Sequence, residues 1–338
     1  MSPVTVPGEP QTLPPVPRHQ RRWTRSPHGP RFAACVTGAV LLTIGALLTT
    51  LVRSGGSDAG RPPGSAASLP WPAQGQTSVL VEGLGTRGEL GTRGAQKPVP
   101  IASVTKVMTA YVILRGHPLR AKDAGPDITV DQQAAGESVL GGESTVPVER
   151  GVRLSERQVL ELMLIPSGGN IARLLARWDA GSEEAFVAKM NGAARALGMT
   201  DTEYTDASGI ARTTVSTSAD QLRLARKVMH DPAFRSIVAM EESTVPGLSG
   251  PVRNTNTLLG REGVVGGKTG SSTPAGGNLM WAATAQDRTG HTRLILGVVL
   301  HQEAGTSSEQ GLRAALTSSR ELIGGVRQWV STVGRPGR

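Results

Sequence analysis

The stretch that decides the fold is VVGGKTGSSTPAGGNLMWAATAQDRTGHTRLILGVVLH, residues 264–301. The helical period of the chain has ended before this stretch, at about residue 245, and three extended runs within it are predicted as strands, at residues 264–269, 278–286 and 292–301. Residues 287–290, DRTG, are typical of a hairpin turn and join the last two runs. The stretch therefore predicts neighbouring strands of an antiparallel sheet.

Strands and helices are segregated along the rest of the folded chain. An extended run begins near Gln76, and a second one ends at Ile101. Helical periods dominate from about residue 128 to 245, and a final amphipathic helix is predicted over residues 308–330. Strands at both ends with helices between them predict an α/β (α+β) fold, in which an antiparallel sheet is flanked by helices and carries a helical insertion subdomain.

Local patterns predict where two of the helices begin. Ser155-x-x-Gln158 and Ser218-x-x-Gln221 are both typical of a capping box, in which two residues three positions apart each bind a backbone N–H group. Helices are therefore expected directly after Ser155 and Ser218. Residues 252–257 are predicted as a further strand.

The N-terminal part of the chain differs in composition from the rest. Residues 1–31 are rich in proline and arginine and predict a disordered tail. Residues 32–52 contain no charged side chain, and a helix of that length spans about 30 Å, the thickness of a bilayer core. Arginines cluster before this run, so we expect a single-pass transmembrane helix with a cytoplasmic N-terminus in the cell membrane, and a cleavable signal peptide is the alternative. A Gly/Ser/Pro-rich linker, residues 53–75, then leads to one extracellular domain, residues 76–333.

Charge and cysteine content narrow the possible functions. The formal net charge is +9, and more than half of it lies in the tail and at Arg53, beside the anionic inner surface of the expected membrane. The single cysteine, Cys35, excludes an internal disulfide and a cysteine-based zinc site. The histidines lack metal-ligand spacing. We therefore expect no metal, no cofactor and no nucleic-acid partner.

Lys268 and Thr269 stand among glycines, a composition that is also found in nucleotide-binding loops. Such a loop needs G-x-x-x-x-G-K-[ST] followed directly by a helix. The position five residues before Gly267 is Glu262, and the residues after Thr269, GSSTPAGG, cannot begin a helix in register. A phosphate-binding loop is therefore excluded, and the remaining interpretation is that this lysine holds a carboxylate.

A serine and a lysine three residues apart, Ser103 and Lys106, stand at the start of a predicted helix. Residues i and i+3 share a helix face, so the lysine amine can reach the serine hydroxyl. The helix N-terminus supplies N–H groups where an oxyanion would form. The pattern favours a Ser-Lys nucleophile and base, which requires burial and a nearby cation to lower the pKa of Lys106. Lys268 is the candidate for that cation.

Four stretches in order carry a family resemblance: ASVTKVMTAYVIL (residues 102–114), YTDASGIARTTVSTSADQLRLA (204–225), RNTNTLL (253–259) and KTG followed by small residues. In these stretches the sequence resembles the penicillin-binding D-alanyl-D-alanine carboxypeptidases, within the wider group of serine DD-peptidases and β-lactamases. The resemblance covers roughly residues 76–303. It implies a DD-peptidase/β-lactamase-like fold.

The resemblance also implies the roles of the site residues. Ser103 would attack the penultimate carbonyl of a peptidoglycan stem peptide that ends in D-Ala-D-Ala and form an acyl-enzyme, and Lys106 would take its proton and later help to activate water. The backbone N–H groups of Ser103 and Ser271 would form the oxyanion hole. Lys268 and Thr269 would hold the terminal carboxylate of the substrate. β-Lactam antibiotics would act as covalent inhibitors.

The family's third motif, S-x-N, is altered in this chain. The sequence reads Pro166-Ser167-Gly168-Gly169-Asn170, so the asparagine stands one position late. Ser167 keeps its place and would relay a proton toward the leaving amine. Asn170 either still points inward as a substrate-binding residue or caps the helix that follows.

The displaced asparagine keeps a second class of function open, a catalytically degenerate, penicillin-binding-like cell-wall module. A β-lactamase is the alternative of the same fold. The sequence contains no E-x-x-L-N segment for the deacylation glutamate of the class A enzymes. A D-Ala-D-Ala carboxypeptidase is therefore the favoured interpretation.

Overall fold

The computed structural model describes residues 68–84, 88–138 and 142–333. In chain order the strands are β1 (Gln76–Val81), β2 (Glu89–Arg93), β3 (Val99–Pro100), β4 (Asp127–Thr129), β5 (Arg153–Ser155), β6 (Val215–Ser216), β7 (Glu242–Ser243), β8 (Val252–Arg253), β9 (Val264–Ser272), β10 (Gly276–Gln286) and β11 (Thr292–Gln302). The helices are α1 (Lys106–Gly116), α2 (Gln132–Glu137), α3 (Glu156–Leu164), α4 (Gly169–Ala180), α5 (Glu183–Ala196), α6 (Ser218–Val228), α7 (Pro232–Val238) and α8 (Ser308–Thr332).

A five-stranded antiparallel sheet joins the two ends of the described chain, in the order β2-β1-β11-β10-β9. The three strands predicted between residues 264 and 301 are its second half, and each extends by one to three residues beyond the predicted bounds. The helices α1 to α7 all lie between β2 and β9 in sequence. The predicted α+β fold, with an antiparallel sheet and a helical insertion, is therefore confirmed.

Strand β10 has a continuous apolar sequence because its side chains alternate between two buried faces of the sheet. Met280 and Ala282 belong to the core shared with the inserted helices, and Leu279 and Trp281 belong to a second core beneath α8. Successive side chains of a strand point to opposite faces. Both faces of β10 are covered, and buried apolar residues follow one another from position 279 to position 283.

One predicted strand is largely a loop. Only Val252–Arg253 of the predicted run 252–257 pairs as a strand. The Asn254 side chain accepts a hydrogen bond from the N–H of Asn256 at 2.9 Å, and the Asn256 side chain accepts one from the N–H of Leu258 at 3.2 Å. Each asparagine thus forms a local turn that competes with the extended ladder.

The two predicted capping boxes have different outcomes. Ser155 and Gln158 form a complete capping box at the start of α3. At α6, however, Thr217 is the N-cap and its hydroxyl accepts a hydrogen bond from the N–H of Asp220. The box predicted at Ser218 is therefore wrong by one position, because threonine and serine stand side by side and both can cap.

The N-terminal boundary of the folded domain lies earlier than the sequence predicts. Leu69 is 8% exposed and packs in the core beneath α8. Leu69 and Trp71, which the sequence assigns to the linker, therefore pack on the domain. The predicted tail and membrane span, residues 1–31 and 32–52, lie outside the described residues, and within these no helix is long and apolar enough to cross a membrane.

A buried carboxylate in α3 makes stability depend on pH. Burial raises the pKa of Glu156 to about 7, and neither of its carboxylate oxygens has a hydrogen-bond partner. The unfolded chain loses this proton near the ordinary value of 4.5, so stability falls as the pH rises from there to about 7 and is then constant. We expect Glu156→Gln to raise the free energy of unfolding by about 1–2 kcal/mol at pH 8, measured by urea denaturation.

The same substitution is expected to have almost no effect at pH 4, where the native carboxyl is already neutral. Glu309→Gln in the first turn of α8 is the control, because Glu309 is exposed and forms a surface ion pair with Arg313 of the same helix. An equal effect of Glu156→Gln at both pH values would contradict the assignment.

Candidate active site

The predicted nucleophile and base are in contact. Ala102–Thr105 forms a 3₁₀ turn that leads directly into α1, and this turn carries Ser103 to the side chain of Lys106. Lys106 Nζ lies 2.8 Å from Ser103 Oγ and 2.8 Å from the carbonyl oxygen of Ser208. Lys106 is only 1% exposed. The i, i+3 spacing thus forms the expected Ser-Lys pair.

A tight turn at residues 206–210 places the Ser208 carbonyl against Lys106. The Asp206 carboxylate accepts hydrogen bonds from the backbone N–H groups of Ser208 and Gly209 at 3.2 and 2.7 Å. Gly209 has a φ of +84°, and an ideal Cβ there would lie 1.9 Å from the carbonyl oxygen of Ala102. The turn can therefore approach the nucleophile only because residue 209 is glycine.

Burial lowers the pKa of Lys106 to about 8, because it disfavours the charged amine. The carboxylates of Glu143 and Asp206 oppose this shift, and the Arg173 guanidinium adds to it. For Lys268, burial and then the Lys106 ammonium lower the pKa well below its usual value. Arg173 is therefore a cation beside Lys106 that the sequence does not predict, and the amines of Lys106 and Lys268 repel each other.

A second serine–lysine pair lies beside the first. Lys268 Nζ donates hydrogen bonds to Ser167 Oγ at 2.9 Å and to the carbonyl oxygen of Thr269 at 3.0 Å. Ser167 has a φ of +71°, in the left-handed region that a residue with a side chain rarely adopts. Such strain persists only when the surroundings hold it, and it is frequent at functional sites.

Strand β9 passes directly over the start of the nucleophile helix. An ideal Cβ at Gly270 would lie 2.8 Å from the backbone nitrogens of both Ser103 and Val104. Real Cβ atoms do not come this close to backbone, so this contact requires glycine. Ser271 follows in the same strand and lines the same cleft as Ser103.

These groups open into one cleft of about 480 Å³. On its wall the hydroxyl oxygens of Thr269 and Thr255 are 2.6 Å apart. In the part of the chain that the structure describes, no group of three or more His, Cys, Asp or Glu side chains could hold a metal ion. The cleft is thus lined by hydroxyl groups, among them those of Ser103, Ser167, Thr255, Thr269 and Ser271.

Asn170 points away from the cleft. Its Nδ2 donates to the carbonyl oxygens of Ala134 and Val146 at 3.1 and 2.9 Å, and its Oδ1 accepts from the N–H of Val146 at 3.0 Å. The N-cap of α4 is Gly168, with no side-chain cap. Both predicted roles of Asn170, substrate contact and helix cap, are therefore wrong, and its amide fastens the backbone near Val146 to α4.

Arg173 and Glu143, which belong to none of the sequence motifs, complete the surroundings of Lys106. Arg173 binds the carboxylates of Glu137 and Glu143 and donates to Ser208 Oγ at 3.1 Å. Glu143 lines the cleft. Glu143 and Arg173 are 30 residues apart in sequence, so no local pattern predicts their pairing. The signal that the sequence does contain is the glycine at position 169, which shows that the asparagine of the S-x-N motif is replaced.

The comparisons with known proteins agree with this geometry. The profile of the D-alanyl-D-alanine carboxypeptidase family matches residues 71–303. A D-alanyl-D-alanine carboxypeptidase of a Streptomyces species is 31% identical over 278 residues, which are 78% of this chain and 90% of that protein. The carboxypeptidase DacC of Escherichia coli is 33% identical over 205 residues, 59% of this chain, and the match spans only 50% of DacC.

Solved structures show the same fold. A D-alanyl-D-alanine carboxypeptidase from Mycobacterium tuberculosis superposes with a TM-score of 0.64 and 27% identity over 82% of this chain and 96% of that one. A Streptomyces DD-transpeptidase superposes with a TM-score of 0.62 and 26% identity, over 73% and 94% of the two chains. The profile match includes both serine–lysine pairs and every strand of the sheet, and the chain therefore belongs to the D-alanyl-D-alanine carboxypeptidase family.

Proposed function

We propose that this protein is a serine-type carboxypeptidase that removes the terminal D-alanine from peptidoglycan stem peptides through an acyl-enzyme on Ser103. The contact between Lys106 Nζ and Ser103 Oγ, 2.8 Å long, carries the proposal. The pKa of this buried lysine is lowered to about 8, so a useful fraction of the amine is neutral near pH 7.5 and can act as a base. Arginine or a fully solvated lysine would not serve.

In the acylation step, neutral Lys106 accepts the proton of Ser103 as Oγ bonds to the carbonyl carbon of the penultimate D-alanine. One N–H of the amine remains bound to the Ser208 carbonyl, which turns the nitrogen lone pair toward the nucleophile. The backbone N–H groups of Ser103 and Ser271 receive the oxyanion. The C–N bond then breaks, and the terminal D-alanine leaves as an amine.

The second serine–lysine pair serves the leaving group. Ser167 Oγ passes a proton to the departing nitrogen and is reprotonated by Lys268, which donates a hydrogen bond to it. The proton that Lys106 took from Ser103 replaces the one that Lys268 gives up, so Lys106 is neutral again for the second step. The terminal carboxylate binds at Lys268 and Thr269, where an incoming anion favours the protonated form of the lysine and offsets its burial. In the second step, Lys106 takes a proton from water, the water oxygen attacks the ester, and Ser103 regains its proton.

We further propose that residues 32–52 anchor the protein in the cell membrane, with residues 1–31 in the cytoplasm. The support is the uncharged apolar run and the arginine cluster before it. This arrangement would place the cleft on the side of the membrane where peptidoglycan is found. β-Lactams, whose strained amide presents a carbonyl to the same serine, would acylate Ser103 and inhibit the enzyme.

A non-catalytic module would not need the complete set of groups. Two buried lysines, each bound to a serine, are unfavourable for stability because the charge of each must leave water. Buried ionisable groups with shifted pKa values are concentrated at catalytic sites. The intact pairs therefore favour the enzyme over the degenerate module.

Release of D-alanine tests the proposed function. The full-length protein in detergent is expected to release D-alanine from Nα-acetyl-L-Lys-D-Ala-D-Ala, and Ser103→Ala is expected to lower the rate by about 10³-fold or more. A wild-type protein that is folded but leaves the peptide intact would contradict the proposal.

A further inference from the structure

A carboxylate occupies the place that the family's asparagine would fill. The S-x-N motif has its asparagine at position 169, where this chain has glycine. An ideal Cβ at Gly169 would lie 2.1 Å from Glu143 Oε2 and 2.6 Å from its Cδ. The Glu143 carboxyl group therefore fills the volume into which any side chain at position 169 would project.

The structure holds Glu143 in this position from two directions. The Arg173 guanidinium binds its carboxylate, and the N–H of Gly169 donates to the carbonyl oxygen of the adjacent Ser144 at 2.8 Å. The Asn170 amide fastens Val146, further along the same segment. The asparagine that was displaced by one position thus helps to fix the loop that supplies the carboxylate.

The charge of Glu143 is not fully neutralised. Arg173 is shared between Glu143 and Glu137, so these three side chains carry one net negative charge. Of the described residues that line the cleft, Glu143 is the only one with a charged side chain. Glu143 therefore presents a carboxylate at the surface of the cleft, whereas the amines of Lys106 and Lys268 are buried.

A carboxylate does different chemistry from an amide in the same place. An amide donates and accepts hydrogen bonds, but an ionised carboxylate only accepts. It repels the terminal carboxylate of the substrate and attracts an ammonium group. A cation bound there must belong to the acyl portion of the peptide, because the leaving D-alanine places its anion at Lys268 and Thr269.

We propose that Glu143 is a specificity-determining residue that binds a primary ammonium group on the acyl side of the D-Ala-D-Ala substrate. The inference rests on the proposed function. The substrate class is then a stem peptide whose side chain before D-Ala-D-Ala ends in a free amine. A peptide in which this amine is acylated is a poorer substrate.

Two peptides that differ only at this amine test the proposal. They are Nα-acetyl-L-Lys-D-Ala-D-Ala, whose ε-amine is charged at pH 8, and the Nα,Nε-diacetyl peptide, whose side chain is neutral. The measurement is the ratio of their kcat/KM values, obtained from D-alanine release by the full-length protein. The ratio cancels any general loss of activity or of folded protein.

Wild-type protein is expected to prefer the free amine, and Glu143→Gln is expected to lower the ratio by about tenfold. Glu137→Gln is the matched control, because Glu137 binds the same arginine without lining the cleft, and its ratio is expected to stay within about twofold of wild type. A ratio for Glu143→Gln equal to that of wild type would overturn the proposal, since Glu143 would then only brace Arg173.

A second variant keeps the test decisive if glutamine disturbs the loop. The double substitution Glu143→Ala and Gly169→Asn restores the motif's amide in the vacated volume, and it is expected to lose the preference as well. Retention of the preference in this variant would overturn the proposal. If wild-type protein turns over both peptides equally, only the inference fails; if it turns over neither and forms no benzylpenicillin adduct, the proposed function fails.

Discussion

Replacement of Lys106 by arginine is expected to lower the rate constant of acylation by benzylpenicillin by about 10³-fold. The side chain stays cationic, but a guanidinium does not lose its proton in a protein and cannot accept one from Ser103. Lys106→Ala is expected to show a loss of similar size, because Ser103 then has no base. The measurement is the second-order rate constant from the time course of adduct formation.

Lys227→Arg is the matched control for this prediction. Lys227 lies in α6 and is exposed, and its substitution is expected to leave the rate within about twofold of wild type. A Lys106→Arg protein that retains a tenth or more of the wild-type rate would show that another group removes the Ser103 proton.

Gly270→Ala is expected to slow acylation strongly although it removes no reacting group. The new Cβ would lie 2.8 Å from two backbone nitrogens and 2.9 Å from the carbonyl oxygen of Ile101. All three atoms are backbone, so β9 and the 3₁₀ turn must move apart by several tenths of an ångström. Misplacement on the scale of an ångström lowers rates by about 100-fold, and we expect a loss of acylation approaching that size.

Gly266→Ala in the same strand separates this effect from a general weakening of β9. There the nearest atom to a new Cβ is Val238 Cγ2, a side-chain atom at 2.7 Å. We expect Gly266→Ala to lower the melting temperature but to keep acylation within about threefold of wild type. Equal rates for Gly270→Ala and wild type would mean that the close approach has no role in positioning Ser103.

Much of the sheet and the central Ser-Lys pair could be predicted from the sequence, because both depend on local spacing. The continuous apolar runs of β10 and β11 reflect burial of both faces of the sheet, and residues three apart at a helix start must be neighbours. The capping box at Ser155 is local in the same sense. The prediction of a strand at 252–257 was wrong beyond Arg253, because the side chains of Asn254 and Asn256 bind nearby backbone N–H groups.

The electrostatic surroundings of the site could not be predicted in this way. Glu143, Asp206 and Arg173 shift the pKa of Lys106 through their charges, and they come from three segments far apart in sequence. Asn170 was assigned by its position in a motif, but its contacts depend on how the backbone near Val146 folds against α4. The order of the motifs was enough to identify the reacting groups. The pKa values of these groups and the contacts of the Asn170 amide depend on tertiary packing.

The most direct test of the central claim is the site of the benzylpenicillin adduct on the full-length protein. After digestion, mass spectrometry is expected to find one covalent adduct, on the peptide that contains Ser103. The adduct is expected to be absent in Ser103→Ala and to form very slowly in Lys106→Arg. An adduct on another residue such as Ser167, or a folded wild-type protein with no adduct, would contradict the assignment of Ser103 as the nucleophile.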